Sequence, residues 1–329
     1  MIKLWFPIIC FSFSIVELCV AGDYTSVDLF SIPWGGGDDE LLMEQRIVND
    51  PGTPEDSTDD YIEPSMGPSL AVVDGDENVI ISSYAFTQLK GFSSSGDLIF
   101  TIPNGEPDVE FLMAGRTYNQ LFIDSLRRIH IAAFPPLYFV PVIDYTGNVI
   151  DCLFPFGSSS SNEIIEICLS PSGTMIFGDR TKGFVTYSGG EYFSGGSCGF
   201  LASDGKFYSA KAMSPTGLRL NRYEDPDSMG IASSREFTEI DFPGDSIYSA
   251  FILNGGGGDR LYAYVRTYDL NKYEIWEFDL TYNLISEIVF PPPDDAYDLI
   301  ITPFVRRDGN IYEFRFRQDG FHVVRWSKE

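Results

Sequence analysis

The sequence predicts an all-β protein built from repeated four-stranded units, and three observations support this prediction. The composition is rich in turn-forming and aromatic residues, with 31 Gly, 20 Pro, 18 Tyr and 27 Phe in 329 residues, as short strands and tight turns require. No long segment carries apolar residues at the 3.6-residue spacing of an amphipathic helix. Segments of similar pattern recur about every 50 residues, which indicates a repeat architecture.

Each repeat is predicted to contain four short strands joined by hairpin turns. In the first repeat, an apolar strand ends at Asp74, a second begins at Val79, a third covers Leu89–Phe92 and a fourth begins at Leu98. The same order of strands recurs in five further segments, which begin near residues 121, 165, 200, 250 and 300.

The sixth repeat contains only three strands before the chain ends, and the N-terminus supplies a fourth. Fourth strands end in Ile-Pro or Phe-Pro, and the pair Ile32-Pro33 is the additional member of this series. We therefore expect Val27–Ile32 to pair with Phe321–Trp326 and to close a ring. The prediction is a six-bladed β-propeller of four-stranded antiparallel blades, closed by the N-terminal strand; two consecutive β-sandwiches are the alternative.

The N-terminus has the pattern of an export signal. Lys3 precedes the apolar run Leu4–Val16, and Val20–Gly22 provides a small-residue cleavage site. We expect residues 1–22 to be a signal peptide and residues 23–329 to form a single domain. The mature protein is then exported, to an extracellular, periplasmic or cell-surface location. The apolar run is shorter than the ~20 residues of a membrane span, so no membrane span is expected.

Three of the five cysteines lie outside the predicted signal peptide. Cys168 and Cys198 can pair only if their strands are neighbours, so the sequence leaves a disulfide open. A lipid anchor at Cys19 is disfavoured, because Leu18 stands where a bacterial lipoprotein signal has a small residue.

The formal net charge of −26 limits the classes of partner. Such a charge repels nucleic acids and anionic lipid surfaces, so we expect a protein or a small extracellular ligand as the partner, and a monomeric state. The densest run of acidic residues lies within residues 36–64. We expect this run to form a solvated acidic loop, because Pro51 and Pro54 interrupt regular structure.

Several segments resemble the repeat of NHL-type six-bladed propellers. Gly67–Val72 with Asp74 and Asn78–Ile80 is similar to the Pro-x-x-hydrophobic-Ala-Val-Asp pattern of that family, and Phe92–Leu98 and Ile143–Gly147 resemble its outer hairpin. The Ile-Pro-Trp-Gly-Gly-Gly opening is similar to the start of secreted bacterial propellers of this kind. The resemblance implies the fold but selects no activity, because this fold includes binding platforms, lactonases and lyases.

Asp74 and Asp124 are candidate metal ligands. They stand at matching positions at the ends of the innermost strands of two repeats. Propellers that resemble gluconolactonases bind a divalent ion in the channel through carboxylate oxygens, which makes calcium the candidate ion. The favoured interpretation is that each aspartate caps backbone amides of its hairpin turn, because the equivalent positions are Ser170, Ala202 and Arg306 and the ring is not consistently acidic.

A second candidate site consists of aromatic residues in loops that propeller connectivity places on one face. These residues could bind a ligand or pack against neighbouring loops. They are Trp34, Phe134, Tyr138 and Tyr268.

The sequence contains no pattern of a nucleophile and its base. His130 and His322 lie inside apolar strands, where a structural role is expected, and no G-x-S-x-G motif occurs. The leading hypothesis is a secreted, non-catalytic binding or scaffold propeller that needs no cofactor. The alternative is a divalent-ion-dependent hydrolase or lyase of the gluconolactonase-like propeller type.

Overall fold

The structure is a computed structural model that describes part of the chain. The predicted signal peptide, Tyr138, Tyr268 and Cys198 lie outside the described residues. The described backbone comprises residues 24–48, 61–83, 88–102, 117–124, 126–134, 139–154, 166–169, 174–179, 183–188, 192–195, 200–224, 235–241, 247–253, 259–267, 273–290 and 301–328. Side chains are described in these ranges except at 44–48, 61–66, 117–119, 133–134, 166–201, 235–236 and 251.

All regular elements in these ranges are β-strands, as predicted. In chain order they are β1 (Tyr24–Ile32), β2 (Glu44–Val48), β3 (Tyr61–Met66), β4 (Pro68–Val73), β5 (Val79–Ser83), β6 (Gln88–Phe92), β7 (Leu98–Ile102), β8 (Thr117–Asp124), β9 (Ile129–Phe134), β10 (Val140–Ile143), β11 (Val149–Leu153), β12 (Glu166–Leu169), β13 (Thr174–Asp179), β14 (Gly183–Ser188), β15 (Tyr192–Gly195), β16 (Phe200–Leu201), β17 (Phe207–Ser214), β18 (Gly217–Tyr223), β19 (Arg235–Asp241), β20 (Ile247–Leu253), β21 (Arg260–Thr267), β22 (Tyr273–Asp279), β23 (Leu284–Val289), β24 (Phe304–Val305), β25 (Ile311–Arg317) and β26 (Gly320–Lys328).

Three four-stranded antiparallel sheets have the predicted composition. Sheet I contains β4–β7, sheet IV contains β20–β23, and sheet V contains β24–β26 together with β1. Strands β8–β11 and β16–β19 also pair in the predicted order, but each set belongs to a larger sheet. The prediction of repeated four-stranded antiparallel units is therefore confirmed for these strand sets.

The third repeat differs from the prediction of a separate four-stranded blade. Its fourth strand, β15, pairs with β8, so sheet II has the order β11-β10-β9-β8-β15. Its first strand, β12, pairs in parallel with β16, which joins the third and fourth repeats in the seven-stranded sheet III. Tyr192–Gly195 is short and flanked by glycines, so its sequence specifies a partner strand only weakly.

The N-terminal strand completes sheet V. Strand β1 pairs antiparallel with β26, from Tyr24 opposite Lys328 to Ile32 opposite Phe321. At Gly320 a Cβ atom would lie 2.4 Å from the carbonyl oxygen of Ile32, so this close approach requires glycine. The predicted pairing of the two ends of the chain is confirmed.

The acidic segment is only partly the loop that was predicted. Strands β2 and β3 form an antiparallel hairpin in which Ile47 lies opposite Ile62 and Val48 opposite Tyr61. These β-branched and aromatic pairs favour strands despite the neighbouring charges, so the prediction of a loop through residues 36–64 is wrong there. Residues 49–60 lie outside the described part of the chain.

A buried lysine organises the preceding residues, where the chain leaves sheet V for sheet I. The Lys90 ammonium donates hydrogen bonds to the carbonyl oxygens of Gly37, Asp38 and Glu40, at 3.1, 3.0 and 2.6 Å. Burial lowers the pKa of Lys90, and the nearby acidic side chains of Asp38, Asp39 and Glu40 act in the opposite direction. Lys90 therefore neutralises the acidic turn locally.

Neighbouring sheets share apolar cores. Val72 of sheet I, Ile123 of sheet II and Val323 of sheet V belong to one cluster of buried side chains. A second cluster joins sheets IV and V, and a third joins sheets III and IV. Apolar packing thus joins sheet III to sheet IV, sheet IV to sheet V, and sheet V to sheets I and II. Sheet V, the last in chain order, therefore packs against sheet I, the first.

Removing β1 should destabilise the whole protein. A chain that starts at Trp34 loses the outer strand of sheet V and exposes the hydrogen-bonding edge of β26. We expect a lower unfolding midpoint and reduced cooperativity in urea denaturation followed by circular dichroism. The control is a chain that starts at Asp23 and keeps β1. Equal midpoints for the two chains would show that β1 does not stabilise the fold.

Candidate functional site

Seven hairpin turns in the described part of the chain share one five-residue geometry. In each turn, the backbone N–H of the first residue donates a hydrogen bond to the carbonyl oxygen of the fifth residue. The backbone N–H of the fourth residue donates to the carbonyl oxygen of the first residue. The fourth residue always has positive φ; it is glycine in four turns and Glu77, Arg127 or Tyr282 in the others. The turns are 74–78, 93–97, 124–128, 144–148, 202–206, 279–283 and 306–310.

Asp74 is the first residue of such a turn and is buried. Its Oδ1 accepts hydrogen bonds from the backbone amides of Asp76 and Asn78, at 2.9 and 2.8 Å. Its Oδ2 accepts the Asn78 side-chain amide and, from sheet II, the Tyr145 hydroxyl at 2.7 Å. Both oxygens therefore serve the turn and the contact between sheets I and II.

Asp124 has the same role in the first turn of sheet II. Its Oδ1 accepts the amides of Leu126 and Arg128, both at 2.9 Å, and its Oδ2 contacts the Arg128 guanidinium and His130 Nε2. Burial raises the pKa of Asp124, but hydrogen bonds from His130 and Arg128 outweigh it and lower the pKa. The arrangement favours the turn-capping interpretation, and the metal-ligand role of Asp74 and Asp124 stays a prediction.

The candidate aromatic face is only partly described. Trp34 donates its indole N–H to the Arg317 carbonyl oxygen at 2.6 Å and stacks on Phe316 with ring centroids 5.8 Å apart. These contacts give Trp34 a packing role against the β25–β26 hairpin. Phe134 is the last residue of β9 and its side chain lies outside the described residues, as do Tyr138 and Tyr268. The structure therefore does not test whether the four aromatic residues lie together.

A carboxylate in an unusual backbone conformation connects sheets I and V. Glu77 has φ +64° and its Oε1 accepts hydrogen bonds from the Tyr312 hydroxyl and Arg325 Nη1, both at 2.8 Å. Arg306 Nη1 lies 3.4 Å from the same oxygen. Burial raises the pKa of Glu77, but hydrogen bonds from Tyr312 and Arg325 and the two positive charges outweigh it, so the pKa is lowered.

The Glu77 contacts should make stability depend on pH. Because its folded-state pKa is lowered, Glu77 stabilises the fold above the unfolded-state pKa of ~4.3 and loses this contribution as the pH falls through the folded-state value. We expect Glu77→Gln to lower the free energy of unfolding by about 1–2 kcal/mol at pH 7 and by less at pH 3. Urea denaturation at both pH values measures this.

The control for Glu77→Gln is Glu239→Gln, which removes an exposed carboxylate paired with Arg219 on sheet III. Two results would contradict the stabilising role of Glu77. One is a loss of unfolding free energy for Glu77→Gln that is no larger than that of the control, and the other is a loss that is as large at pH 3 as at pH 7.

A polar cavity of about 280 Å³ lies between sheets IV and V, and we call it the junction cavity. Sheet IV contributes β21 and β22, and sheet V contributes β1, the end of β26 and the 306–310 turn. The cavity is lined by Tyr24, Arg260, Tyr262, Glu277, Lys328 and residues 307–310.

Glu277 provides a buried carboxylate in the junction cavity. Its side chain is 3% exposed, and its Oε2 accepts hydrogen bonds from Ser286 Oγ at 2.7 Å, Lys328 Nζ at 3.2 Å and the Tyr24 hydroxyl at 3.4 Å. Its Oε1 lies 3.6 Å from Arg260 Nε, which is an ion pair longer than a hydrogen bond. Oε1 thus retains capacity to accept a hydrogen bond.

Two buried phenols complete the wall of the cavity. Burial, together with Tyr262 and Glu277, raises the pKa of Tyr24 well above its ordinary value. Burial and the charge of Glu277 raise the pKa of Tyr262 to about 12. Both hydroxyls therefore stay protonated at neutral pH and can donate hydrogen bonds. The Lys328 ammonium also lies 5.6 Å from the ring centroid of Tyr24.

The 306–310 turn closes one side of the cavity and depends on Gly309. Its φ is +85°, and a Cβ atom there would lie 3.3 Å from the Tyr262 hydroxyl. Gly205 occupies the same turn position in sheet III with φ +77°, and a Cβ atom there would meet no atom within 4 Å. The two glycines share the backbone constraint, whereas only Gly309 has the contact with Tyr262.

Comparing alanine variants at these two glycines separates the two effects. Alanine in the left-handed region costs about 1 kcal/mol, so we expect that loss for Gly205→Ala. Gly309→Ala should lose more, because the new methyl group also displaces the Tyr262 hydroxyl. Urea denaturation of both variants measures the difference. Equal losses would mean that Tyr262 is not fixed against the turn.

The sequence did not reveal the residues of the junction cavity. Tyr24 and Lys328 come from opposite ends of the chain, and Arg260, Tyr262 and Glu277 form no spaced motif. One usable signal was present: Glu277 lies between Trp276 and Phe278 in a strand that is otherwise largely apolar. A charged residue inside a buried strand needs partners, so it marks a polar site.

Three further observations concern the described residues only. No helix in these ranges is long and apolar enough to cross a membrane. No group of three or more His, Cys, Asp or Glu in them is arranged to hold a metal ion. Cys152 is a free thiol, whereas the candidate pair of Cys168 and Cys198 involves side chains outside the description.

Comparisons with known proteins concern the fold. No protein-family profile matches this chain, and no curated protein matches it. Solved structures that are similar include the calcium-binding protein regucalcin from Agrobacterium tumefaciens, at 12% identity, TM-score 0.41 and coverage of 78% of this chain and 88% of that chain. The WD40 β-propeller domain of Doa1 is 14% identical, with TM-score 0.32 and coverage of 90% and 78%.

YCF48 bound to a D1 peptide is also similar, at 10% identity, TM-score 0.38 and coverage of 93% of this chain and 97% of that chain. Likenesses of this size do not assign the chain to any of these proteins.

Proposed function

We propose that this chain is a non-catalytic binding protein and that its ligand site is the junction cavity. The observation that carries the proposal is the convergence of Tyr24, Tyr262 and Glu277, all buried, with the basic side chains of Arg260 and Lys328 at one cavity. Small-molecule sites combine aromatic walls with a few convergent polar groups in this way. The cavity volume of about 280 Å³ suits a small ligand.

The polar groups of the cavity are fixed, which favours binding. Glu277 is held by Ser286, Tyr24 and Lys328, and these contacts set the direction of its remaining acceptor atom. One phenol lies on β1, which pairs with β26 in sheet V, and the other lies on β21, which pairs with β20 in sheet IV. Groups preorganised on rigid strands orient a ligand at a small entropic cost.

The architecture that we propose is a single six-bladed ring of residues 23–329. The packing of sheet V against both sheet IV and sheet I supports it, as does the β1–β26 pairing. In this arrangement sheet III supplies two blades, and β1 closes the ring. We propose further that residues 1–22 direct export and that the mature protein acts as a monomer outside the cytoplasm, without a lipid anchor at Cys19.

A divalent-ion-dependent hydrolase or lyase is the alternative. Asp74 and Asp124 would be its metal ligands, and calcium the expected ion. In their present geometry both oxygens of each aspartate accept hydrogen bonds from the turn and its neighbours. A metal ion would have to displace these donors, so the arrangement does not fit a preformed site.

A fragment screen by thermal shift tests the binding function. Fragments that bind the cavity should raise the unfolding temperature of the natural protein and lose this effect in the double variant Arg260→Ala/Lys328→Ala. Both side chains are ion-pair partners of the buried Glu277 carboxylate, so the double variant is expected to be less stable than the natural protein. Each fragment shift is therefore measured relative to the unfolding temperature of the same variant without fragment. The matched control is Arg219→Ala/Lys206→Ala on sheet III, which removes the same two charges elsewhere.

Hits that survive the cavity variant would contradict the cavity as the ligand site. Calcium-dependent turnover of a lactone, lost in Asp74→Asn/Asp124→Asn, would favour the enzyme alternative. A chelator that leaves both the unfolding temperature and the fragment shifts unchanged would support the binding protein.

A further inference from the structure

We propose that the ligand of the junction cavity is a neutral, polyhydroxylated ring of monosaccharide size, with one of its hydroxyl groups donating to Glu277 Oε1 and accepting from a tyrosine hydroxyl. This inference rests on the proposed function and specifies its ligand class. Three features of the cavity support it: its charges are already paired, its deepest polar groups are neighbouring donors and acceptors, and its volume is small.

The charges in the depth of the cavity are paired with one another. Glu277 Oε2 accepts a hydrogen bond from Lys328 Nζ at 3.2 Å, and Glu277 Oε1 forms the 3.6 Å ion pair with Arg260 Nε. Burial and Glu277 raise the pKa of Tyr262, and Asp259 adds to this increase while Arg260 opposes it. A second carboxylate therefore lies near the site, and two negative charges accompany the two positive ones.

The charged residues of the 306–310 turn also have partners. Asp308 Oδ2 lies 3.3 Å from Arg306 Nη2, and the Asp308 carboxylate accepts hydrogen bonds from the backbone and side-chain amides of Asn310, both at 3.0 Å. Arg307 makes an interaction of its own. A charged ligand group would therefore lose its hydration and compete with an existing pair, which costs free energy that a neutral ligand does not lose.

The deepest polar groups match a hydroxyl group better than a charged one. Glu277 is 3% exposed, and its Oε1 accepts no hydrogen bond from the described residues. The hydroxyls of Tyr24 and Tyr262 line the same cavity and stay protonated, because burial raises both pKa values. A ligand hydroxyl can donate to Oε1 and accept from a phenol at the same time, whereas a carboxylate only accepts and an ammonium only donates.

The size and the walls of the cavity indicate a single ring. Its volume of about 280 Å³ lies near the lower limit of small-molecule pockets, which occupy roughly 300–1,000 Å³. Tyr24 and Tyr262 provide apolar ring surface beside their hydroxyls. A sugar ring likewise presents C–H groups between its hydroxyls.

Three sets of hexoses test the preference for a neutral ligand. Each set contains a neutral sugar, its uronate and its 2-amino sugar, with D-glucose, D-galactose or D-mannose as the neutral member. The full chain is titrated calorimetrically with each compound at one pH near neutrality and one ionic strength. We expect at least one neutral sugar to bind, and to bind about tenfold more tightly than both of its charged analogues.

A hydroxyl variant assigns the binding to the cavity. Tyr262→Phe removes one hydroxyl of the wall and keeps the ring, so it should weaken binding of the neutral sugar about threefold to tenfold. The matched control is Tyr208→Phe on sheet III, which removes the hydroxyl of a buried tyrosine outside the cavity. This control should leave the affinity unchanged.

A charge variant tests the pairing of the cavity charges. Glu277→Gln removes the carboxylate that pairs with Lys328 and Arg260, so the uronate should then bind more tightly than the neutral sugar of its set. The control Glu239→Gln, on sheet III, should keep the preference for the neutral sugar. Circular dichroism shows whether each variant is folded. If Glu277→Gln does not fold, the comparison of Tyr262→Phe with Tyr208→Phe decides the inference.

Three results would overturn the ligand class. They are a charged analogue that binds as tightly as the neutral sugars, equal effects of Tyr262→Phe and Tyr208→Phe, or a folded Glu277→Gln protein that still prefers the neutral sugar. Absence of binding by all the sugars would also overturn it. If fragments of another chemistry still bind at the cavity in the thermal-shift screen, the proposed binding function stands without this ligand class. If nothing binds there, both fail.

Discussion

The antiparallel pairing of β1 with β26 is the contact on which the rest of the structure depends. It runs through eight paired positions and unites residues that lie about 300 positions apart in the chain. Without it, sheet V would end in a free strand edge, and its apolar side chains would lose part of their cover. Sheet V also contributes side chains to the apolar core that it shares with sheet I and to the one that it shares with sheet IV. The pairing of β1 with β26 therefore supports both cores.

Buried carboxylates set the contact between sheets IV and V. Glu313 is 1% exposed and accepts hydrogen bonds from Tyr273 of sheet IV at 2.7 Å and from Trp326 and Arg315 of sheet V. Each of these donors offsets part of the desolvation of the carboxylate. Such networks specify one arrangement of the packed faces more than they add stability. Glu277 repeats the pattern at the edge of the same interface, where it meets the junction cavity.

The sequence predicted the strands, which depend on local patterns of residues. It did not predict the strand pairings and side-chain contacts that depend on residues far apart in the chain. The strands of sheets I and IV follow from apolar runs between turn residues, and the Ile32-Pro33 signature located the partner of β26. The pairings of β15 with β8 and of β12 with β16 depend on tertiary contacts that short glycine-flanked strands do not encode. The turn role of Asp74 was the interpretation that its position before a hairpin turn favoured, but no pattern indicated its contact with Tyr145, which lies 71 positions away. No local pattern unites the cavity residues, so the candidate site was missed altogether.

The position of the junction cavity links ligand binding to the pairing of the chain ends. Tyr24 opens β1 and Lys328 ends β26, and these two residues lie opposite each other in the register of sheet V. Both then contact Glu277 of sheet IV through its Oε2. The orientation of the carboxylate therefore depends in part on β1, because one of its donors belongs to that strand and a second is held beside it, whereas Ser286 of sheet IV donates independently of β1. A ligand that binds Glu277 would in turn stabilise the paired state of β1, since anything that binds only the folded arrangement shifts the equilibrium toward it.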